Sequence, residues 1–430
     1  MPDANEPTIA VSPDVDMRAN ASTEALKDRR TSKHPGWAVL ITLSLLMGFA
    51  SISTDLYLPA LPAMARGLAA RSGTMEYTIS GYLVGFSVGQ LLWGPISDRI
   101  GRRLPVAIGL ILFMIGSAGC ALSTNALMII AWRVFQAVGA SAGVVLSRAM
   151  VRDLYQGSRA AQMLSTLITV MAIAPLVGPL LGGQILTFAG WRAIFFALVG
   201  IGAITLFALY HLPETLPQTH RNPAPLTDAM LDYVRLIGNR QVMGFAIVGA
   251  FFYGGCFAYI AGSPFSYINV YHVPAPLYGV LFGINIIAIM GANLINARLV
   301  KHIDGITLLR MGSAVAMITG AILAIDGRTG FGGLAGLIVP LFFFNGMTGF
   351  IVANSIAGAL NAFPQRSGAV SALVGALQYG MGIAGSGLVG ACTDGTPWPL
   401  GMTVGIAGAL SCVVAWFVIR SSGDPAALGH

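Results

Sequence analysis

Asp55 and Arg133 are the residues of this 430-residue chain whose types and placement point most directly to chemistry. Asp55 lies well inside an apolar run that opens near Gly36 and closes on Ser51-Ile52-Ser53-Thr54-Asp55-Leu56-Tyr57-Leu58-Pro59-Ala60-Leu61-Pro62. An ionised, unpaired carboxylate at membrane depth costs from roughly 3 kcal/mol upward. No other apolar run carries an Asp or Glu at comparable depth, and Arg133 is the only base inside one. An acid and a base so placed can exchange an ion pair for a bound proton, so they are expected to meet, with the rest of the chain as their scaffold. Each lies about six residues from the outer end of its run, roughly 10 Å below the surface at 1.5 Å per residue. Gln136, at i+3 from Arg133, shares its helix face.

The elements that position them are membrane spans. The chain is 55% hydrophobic and 10% charged, with a mean hydropathy of +0.75. A soluble domain carries about 25% charged residues. The 54 glycines suit helices that pack closely in lipid. A net charge of +7 is not read as nucleic-acid binding, because the basic residues cluster in short loops between apolar runs. The four cysteines, in or beside apolar runs, are read as small buried hydrophobes. The six histidines lie in tails or loops, so neither a metal nor another cofactor is expected.

Apolar runs near 36–62, 77–97, 104–124, 127–149, 161–188 and 191–212 form one set. Those near 241–263, 277–296, 306–325, 332–355, 368–390 and 398–419 form another. Each approaches the 20 or so residues that a spanning helix needs. The expectation is an all-α integral membrane protein of about twelve helices in two pseudo-symmetric six-helix bundles, over 36–212 and 241–420. Residues 213–240, with Pro213, Pro217, Pro223 and Pro225, read as a cytoplasmic linker. Residues 1–35 read as a disordered cytoplasmic tail and 421–430 as a second tail. With the amino terminus inside, nineteen of the 24 basic residues fall in inside segments and four outside, which places both termini in the cytoplasm.

Three further stretches carry mechanism. The loop after the second run reads Gly94-Pro95-Ile96-Ser97-Asp98-Arg99-Ile100-Gly101-Arg102-Arg103. Gly94 and Gly101 permit a tight turn, and Asp98 is placed to face the amino-terminal end of a helix starting near Pro364–Gly368. The equivalent stretch of the second half, Asn296 to Gly305, is degenerate. The fourth run holds Arg133-Val134-Phe135-Gln136-Ala137-Val138-Gly139. The fifth reads Ala174-Pro175-Leu176-Val177-Gly178-Pro179-Leu180-Leu181-Gly182-Gly183, in which Ala174, Gly178 and Gly182 form a small-residue stripe and the prolines remove backbone donors. Its expected mate is span eight, with Gly283, Gly291 and Ala292. Plainer readings stand beside each: a basic turn, an ion pair that only fixes packing, and a Gly/Pro packing helix.

In position and pattern these stretches resemble the gating loop, the proton-coupling motif and the antiporter motif of the major facilitator superfamily. Ala137 departs from the Gly of other branches. The Asp55–Pro62 stretch is also similar to the Bcr/CflA subfamily of drug:proton antiporters, as are Ser147-Arg148-Ala149-Met150-Val151-Arg152-Asp153-Leu154, Gly190-Trp191-Arg192, Leu212-Pro213-Glu214-Thr215-Leu216 and Ser263-Pro264-Phe265. The resemblance covers roughly residues 36–420. It implies a proton-coupling role for Asp55, Arg133 and Gln136 and a gating loop of Gly94, Asp98, Arg99, Gly101, Arg102 and Arg103. It also implies an antiporter helix with Pro175, Gly178, Pro179 and Gly182.

Candidates for the substrate cavity are Tyr57, Tyr82, Tyr253, Tyr259, Asn285, Asn345, Asn354, Gln378 and Tyr379, an apolar set with a few polar anchors that suits amphiphilic compounds. The expected function is export of small amphiphilic compounds or drugs across the bacterial inner membrane in exchange for protons. The expected protein is a monomer that uses the proton gradient and no cofactor. A proton-coupled metabolite transporter is the nearest alternative. An integral-membrane enzyme would need nucleophiles or metal ligands at one depth, which the scattered His and Cys do not supply.

Overall fold

The computed structural model describes residues 37–71, 73–155, 157–221, 235–363 and 367–417. The two expected tails and residues 222–234 of the expected linker lie outside these. The described residues form helices and short turns, with no strand among them. In the first half α1 spans Trp37–Asp55, α2 Leu61–Gly67, α3 Tyr77–Ile100, α4 Arg103–Leu122, α5 Ala126–Leu154 and α6 Gly157–Tyr210. In the second half α7 spans Arg240–Pro264, α8 Ala275–Leu299, α9 Gly305–Thr329, α10 Gly333–Gly346, α11 Thr348–Ala362, α12 Ser367–Ala391 and α13 Trp398–Phe417.

Ten stretches among the described residues are long and apolar enough to cross a membrane. The long α6 crosses twice, because its helical path breaks at Gly190 (φ 77°), a backbone that glycine adopts without steric cost. Pro175 and Pro179 stay inside its first arm. The 24-residue α3 also crosses, although Ser80, Tyr82, Ser87 and Gln90 keep it too polar for a hydropathy criterion. With both arms of α6 and with α3, the crossings come to the twelve expected.

Local sequence sets several of the helix ends. Asn125 accepts from the backbone N–H of Met128 at 2.9 Å and starts α5. Asn239 does the same for α7 through Gln241 and Val242, and Asp304 for α9 through Ile306. Gly330, left-handed at φ 66°, closes α9.

Within the first half, α3 and α4 both pack on α5, and α1 packs on α5 and α6. These approaches depend on missing side chains: a Cβ at Gly85 would strike the Val134 carbonyl, and one at Gly116 would come within 2.6 Å of the Gln136 backbone. Within the second half, α9 pairs with α13, and α7 with α11, α12 and α13. The halves meet along two helix pairs, α3 with α12 and α6 with α8.

Candidate functional site

The centre of the first half is a break in the first span. Pro59 has no N–H to give the Asp55 carbonyl, so α1 ends at Asp55 and the chain continues through a turn and a short 3-10 segment, Leu58–Ala60, into α2. A helix ending at membrane depth leaves carbonyls without partners and a partial negative charge. Arg133 answers both. Its Nη1 donates to the Ser53 carbonyl at 2.9 Å and to Gln136 Oε1 at 2.6 Å. Its guanidinium lies between the rings of Tyr57 and Tyr82, 4.2 Å from each centroid. Nε and Nη2 have no protein hydrogen-bond partner, so the two ring faces take the place of acceptors. The residue is fully buried.

Hydrogen bonds extend outward from it. Gln136 Nε2 donates to Ser117 Oγ at 2.7 Å, and Ser117 Oγ to the Phe113 carbonyl at 2.7 Å. Ser53 Oγ shares a hydrogen bond with the Tyr82 hydroxyl, and Tyr57 with Thr78 at 3.0 Å.

Asp55 stands apart from this network. It is 4% exposed and accepts from Thr54 Oγ1 at 3.2 Å. No ion pair joins it to Arg133. The expected pair is therefore not made in this state: the cation is satisfied by two aromatic faces and a helix end. What Asp55 meets is the antiporter-motif stripe. A Cβ on Gly178 would come within 3.0 Å of Asp55 Cβ, and one on Gly182 would strike the Leu56 carbonyl.

The stripe thus faces the broken end of α1, where span eight was expected. The contact of α6 with α8 exists, but on another face: a Cβ on Gly279 would lie 2.7 Å from the Leu180 backbone, and Gly283 faces Leu176. Gly291 faces open space, and Ala292 lies against Gly349 of α11. A helix with small residues on two faces can press on two partners at once, and the sequence does not say which face takes which.

At the other end of the molecule the gating loop forms a cage around Arg102. Its Nη1 donates to Asp98 at 2.5 Å and Ser97 at 2.6 Å, and its Nε to Asp153 of α5 at 2.9 Å. Glu214, just past α6, accepts from the backbone N–H groups of Arg102, Arg103, Thr215 and Leu216. It therefore caps the start of α4. Partial burial raises its pKa, but these backbone donors outweigh that and hold the carboxyl below the usual carboxylate range. Gly101 at φ 100° leaves no room for a Cβ, which would lie 2.6 Å from Glu214 Oε2. Arg103 donates to the Tyr210 carbonyl at 2.7 Å. Gly94 has no neighbour that a Cβ would meet. The helix start expected to receive Asp98 falls on residues 364–366, outside the described set.

Six of the nine cavity candidates gather in two contact clusters, Tyr82, Tyr253 and Tyr379 in one and Tyr259, Asn285 and Asn345 in the other. Phe86 of α3 lies 4.9 Å from Tyr379 of α12, and Tyr253 and Phe257 of α7 surround the same ring. With Tyr82 stacked on Phe86, this aromatic cluster spans both halves. Gln378 beside it has an unpartnered Nε2. Tyr57 belongs to the Arg133 sandwich. Asn285 donates to Tyr259 at 3.1 Å and accepts from Asn345 at 3.3 Å, joining α7, α8 and α10. Asn354 is used elsewhere, donating to Asn296 at 2.8 Å between α11 and α8. Of the cysteines, Cys120 and Cys412 are buried, whereas Cys392 is exposed at the end of α12.

The Major Facilitator Superfamily sequence profile matches residues 43–386. The chain belongs to that superfamily. It is 36% identical over 367 residues to an uncharacterised MFS-type transporter, YdgK, of Bacillus subtilis, covering 85% of this chain and 91% of that one. It is 31% identical over 394 residues to a chloramphenicol resistance protein of Pseudomonas aeruginosa, covering 86% and 89%. These relatives bear out the resemblance to the Bcr/CflA branch. The solved structure of a bacterial homologue of the human lysosomal transporter Spinster superposes with a TM-score of 0.70 at 14% identity, covering 88% of this chain and 96% of that one. The protein is a multi-pass membrane transporter.

Sequence reading alone did not assign roles to Asp153, Glu214, Ser53 or Ser117. A signal for Glu214 was present in the Pro213-Glu214-Thr215 stretch after the sixth run. Nothing in the sequence ties that carboxylate to a loop more than a hundred residues earlier.

Proposed function

We propose that the protein exports small amphiphilic compounds in exchange for protons by alternating access, with Asp55 as the proton carrier. One observation carries this reading. Asp55 is buried at the break of α1 without a cation, while the one intramembrane cation is committed to other partners. An ionised carboxylate there has nothing to offset its burial, and a bound proton removes that cost. Gly178 rests against the Asp55 Cβ, so a change of charge on Asp55 is felt directly by the helix that carries the antiporter motif. Arg133, Gln136 and Tyr57 hold the break in shape, and the Arg102 cage braces the cytoplasmic end of the first bundle.

The aromatic cluster around Tyr379 offers flat apolar faces to a drug-like compound, and Gln378 offers a free amide. The chloramphenicol resistance relative supports an antibiotic among the substrates. The division into bundles 36–212 and 241–420, a cytoplasmic-membrane location with both termini inside, a monomeric state and the absence of catalysis complete the reading. The basic-residue asymmetry supports the orientation.

Purified protein in vesicles with an internal pH dye tests it. Adding chloramphenicol-class compounds to vesicles bearing a pH gradient should drive protons opposite to the compound, and Asp55→Asn should abolish this while the variant still folds and inserts. Movement in the same direction, or gradient-driven accumulation by the Asn variant, would overturn the reading.

A further inference from the structure

A second buried acid lies at the end of the molecule opposite the Arg102 cage. Glu76 occupies the position just before α3, outside the membrane-spanning helix, and is 1% exposed. Its side chain does not cap the helix that it precedes. It turns toward the second half. Oε1 accepts from Thr393 Oγ1 of the α12 end at 3.4 Å, and Oε2 is buried with no partner. The carboxyl borders a cavity of about 80 Å³ whose walls include Ser266, Asn269, Val270, Thr393 and Thr396. A drug-sized compound needs roughly 300 Å³ or more, whereas one water takes about 30 Å³. The cavity suits a proton and a few waters, not the transported compound.

Around Glu76 the two halves touch backbone to backbone. A Cβ on Gly390 would lie 2.7 Å from the Gly73 carbonyl and 3.3 Å from Glu76 Cβ. One turn deeper, Ser80 of α3 and Ser386 of α12 share a 2.7 Å hydrogen bond. The charged and titratable groups in the surrounding elements are Tyr77 on α3, Arg66 and Arg71 on and after α2, Tyr267, Tyr271 and His272 on the turn after α7, Asp326 and Arg328 at the end of α9, and Cys392 and Asp394 after α12; Arg66, Arg71, His272 and Arg328 are exposed to solvent. Asp394 is turned to Thr396, which donates to it through both its N–H and its hydroxyl. No cation among the described residues forms an ion pair with Glu76.

We propose that Glu76 is a second proton-binding site that operates this seam: the halves close over the carboxyl with a proton on it, and separate when the proton leaves. Closure takes Glu76 out of water against neutral walls, which an ionised carboxylate resists and a neutral one does not. The geometry agrees with the titration. Burial pushes the Glu76 carboxyl from its ordinary 4.5 up to about 7, against smaller lowering effects of its own backbone N–H and of Thr393. The group is raised in the closed form, so its support for closure is complete below the ordinary value. That support is lost as the pH rises through the raised value. The closed-to-open ratio then changes by up to tenfold per pH unit between the two. This goes beyond proton exchange at Asp55 and does not depend on it.

Spin labels at Arg66→Cys and Phe331→Cys, on a background with the four native cysteines replaced, report the separation of the halves at this end. In nanodiscs, the short-distance population should dominate at pH 5 and fall by at least tenfold relative to the long one by pH 8. Glu76→Gln should hold the short population at every pH. Asn269→Lys, which brings an ammonium to the cavity wall from a solvent-exposed position, should favour the ionised carboxyl and move the midpoint down by a pH unit or more. Asp55→Asn can shift the closed-to-open ratio as a whole but should leave its fall between pH 5 and 8 in place, whereas Glu76→Gln removes that fall, so that failure of the Asp55 reading and failure of this one are distinguishable. A parent that does not respond to pH, a Glu76→Gln variant that titrates like the parent, or an unmoved midpoint in Asn269→Lys would overturn the proposal. So would closure that follows sodium at fixed pH.

Discussion

The two halves repeat one fold but fill their interiors differently. The first buries formal charge: Arg133 between two tyrosines, Asp55 apart from it with no cation, and a caged Arg102 at the loop. The second buries amides at comparable places, and its one buried acid among the described residues, Asp326, lies at the end of α9, where it accepts from the Gly332 N–H. Asn285, Asn345 and Tyr259 link three helices, and Asn296 and Asn354 link two. An amide pair satisfies its own donors and acceptors and does not change charge with pH. A cation committed to aromatic rings and a helix end, beside an acid with no cation, leaves a carboxylate that needs a proton or a partner. The difference supports the proposal that proton coupling belongs to the first half, with the amide links of the second as its counterpart. The loops repeat the contrast, since Glu214 and Asp153 brace the first, whereas in the second Asp304 caps α9 and no more.

The sharpest way to break this contrast is at Arg133. Arg133→Gln removes the cation that holds the end of α1 and leaves the Ser53 carbonyl without its donor. Gradient-driven efflux from vesicles is expected to fall to background, with folded stability lowered by about 2–3 kcal/mol in a denaturation curve, for the buried acceptors left without a donor and the lost ring contacts. Transport at wild-type rate by this variant would mean that charge in the first half is not what distinguishes it.

Next in size is a pair of glycines. Gly182→Leu forces a side chain into the Leu56 carbonyl and should cost about 1–3 kcal/mol and uncouple transport, because the broken end of α1 must shift. Gly291→Leu on α8 enters open space and should stay within about 0.5 kcal/mol with transport intact. Thermal melts and efflux assays on both would show whether the antiporter stripe acts on α1 or on span eight.

A smaller effect is expected at the gating loop. Glu214→Gln keeps the size of the cap but weakens its bonds to the N–H groups of Arg102 and Arg103, for about 1 kcal/mol. The carboxyl is depressed in the folded protein, so its contribution is present above its ordinary value of 4.5 and lost as the pH falls through the depressed one. Wild type should lose melting temperature on acidification at a steeper rate than Glu214→Gln. Parallel slopes would remove Glu214 from the account.

The smallest effect belongs to the amides. Replacing Asn285 and Asn345 by Leu together with Tyr259 by Phe removes every side-chain partner of this network at once, which is close to neutral for folding, within about 1 kcal/mol. Proton coupling should persist while the spectrum of exported compounds changes, as a growth panel would show. Loss of coupling here would erase the distinction between the halves.

Much of this was legible in the sequence. Run lengths of apolar residues set the number of crossings, because a bilayer of given thickness demands helices of given length. Asp55 and Arg133 stood out because charge at that depth is expensive whatever the surroundings. The break in the first span had a chemical mark in Pro59, which has no N–H, although the run 36–62 was read as one unbroken span. What each charge would meet was decided only in three dimensions. Depth is a one-dimensional quantity, so equal depth made Asp55 and Arg133 look like partners. The rotation of α5 instead turns the guanidinium to Tyr57, Tyr82 and a helix end. Small residues at every fourth position announced a close contact without naming its partner, and packing placed Gly178 and Gly182 on α1. Glu76, Asp153 and Glu214 sit at the ends of runs, where an acid costs nothing by hydropathy. Their burial and bonding come from neighbours far along the chain, and only the assembled fold brings those together.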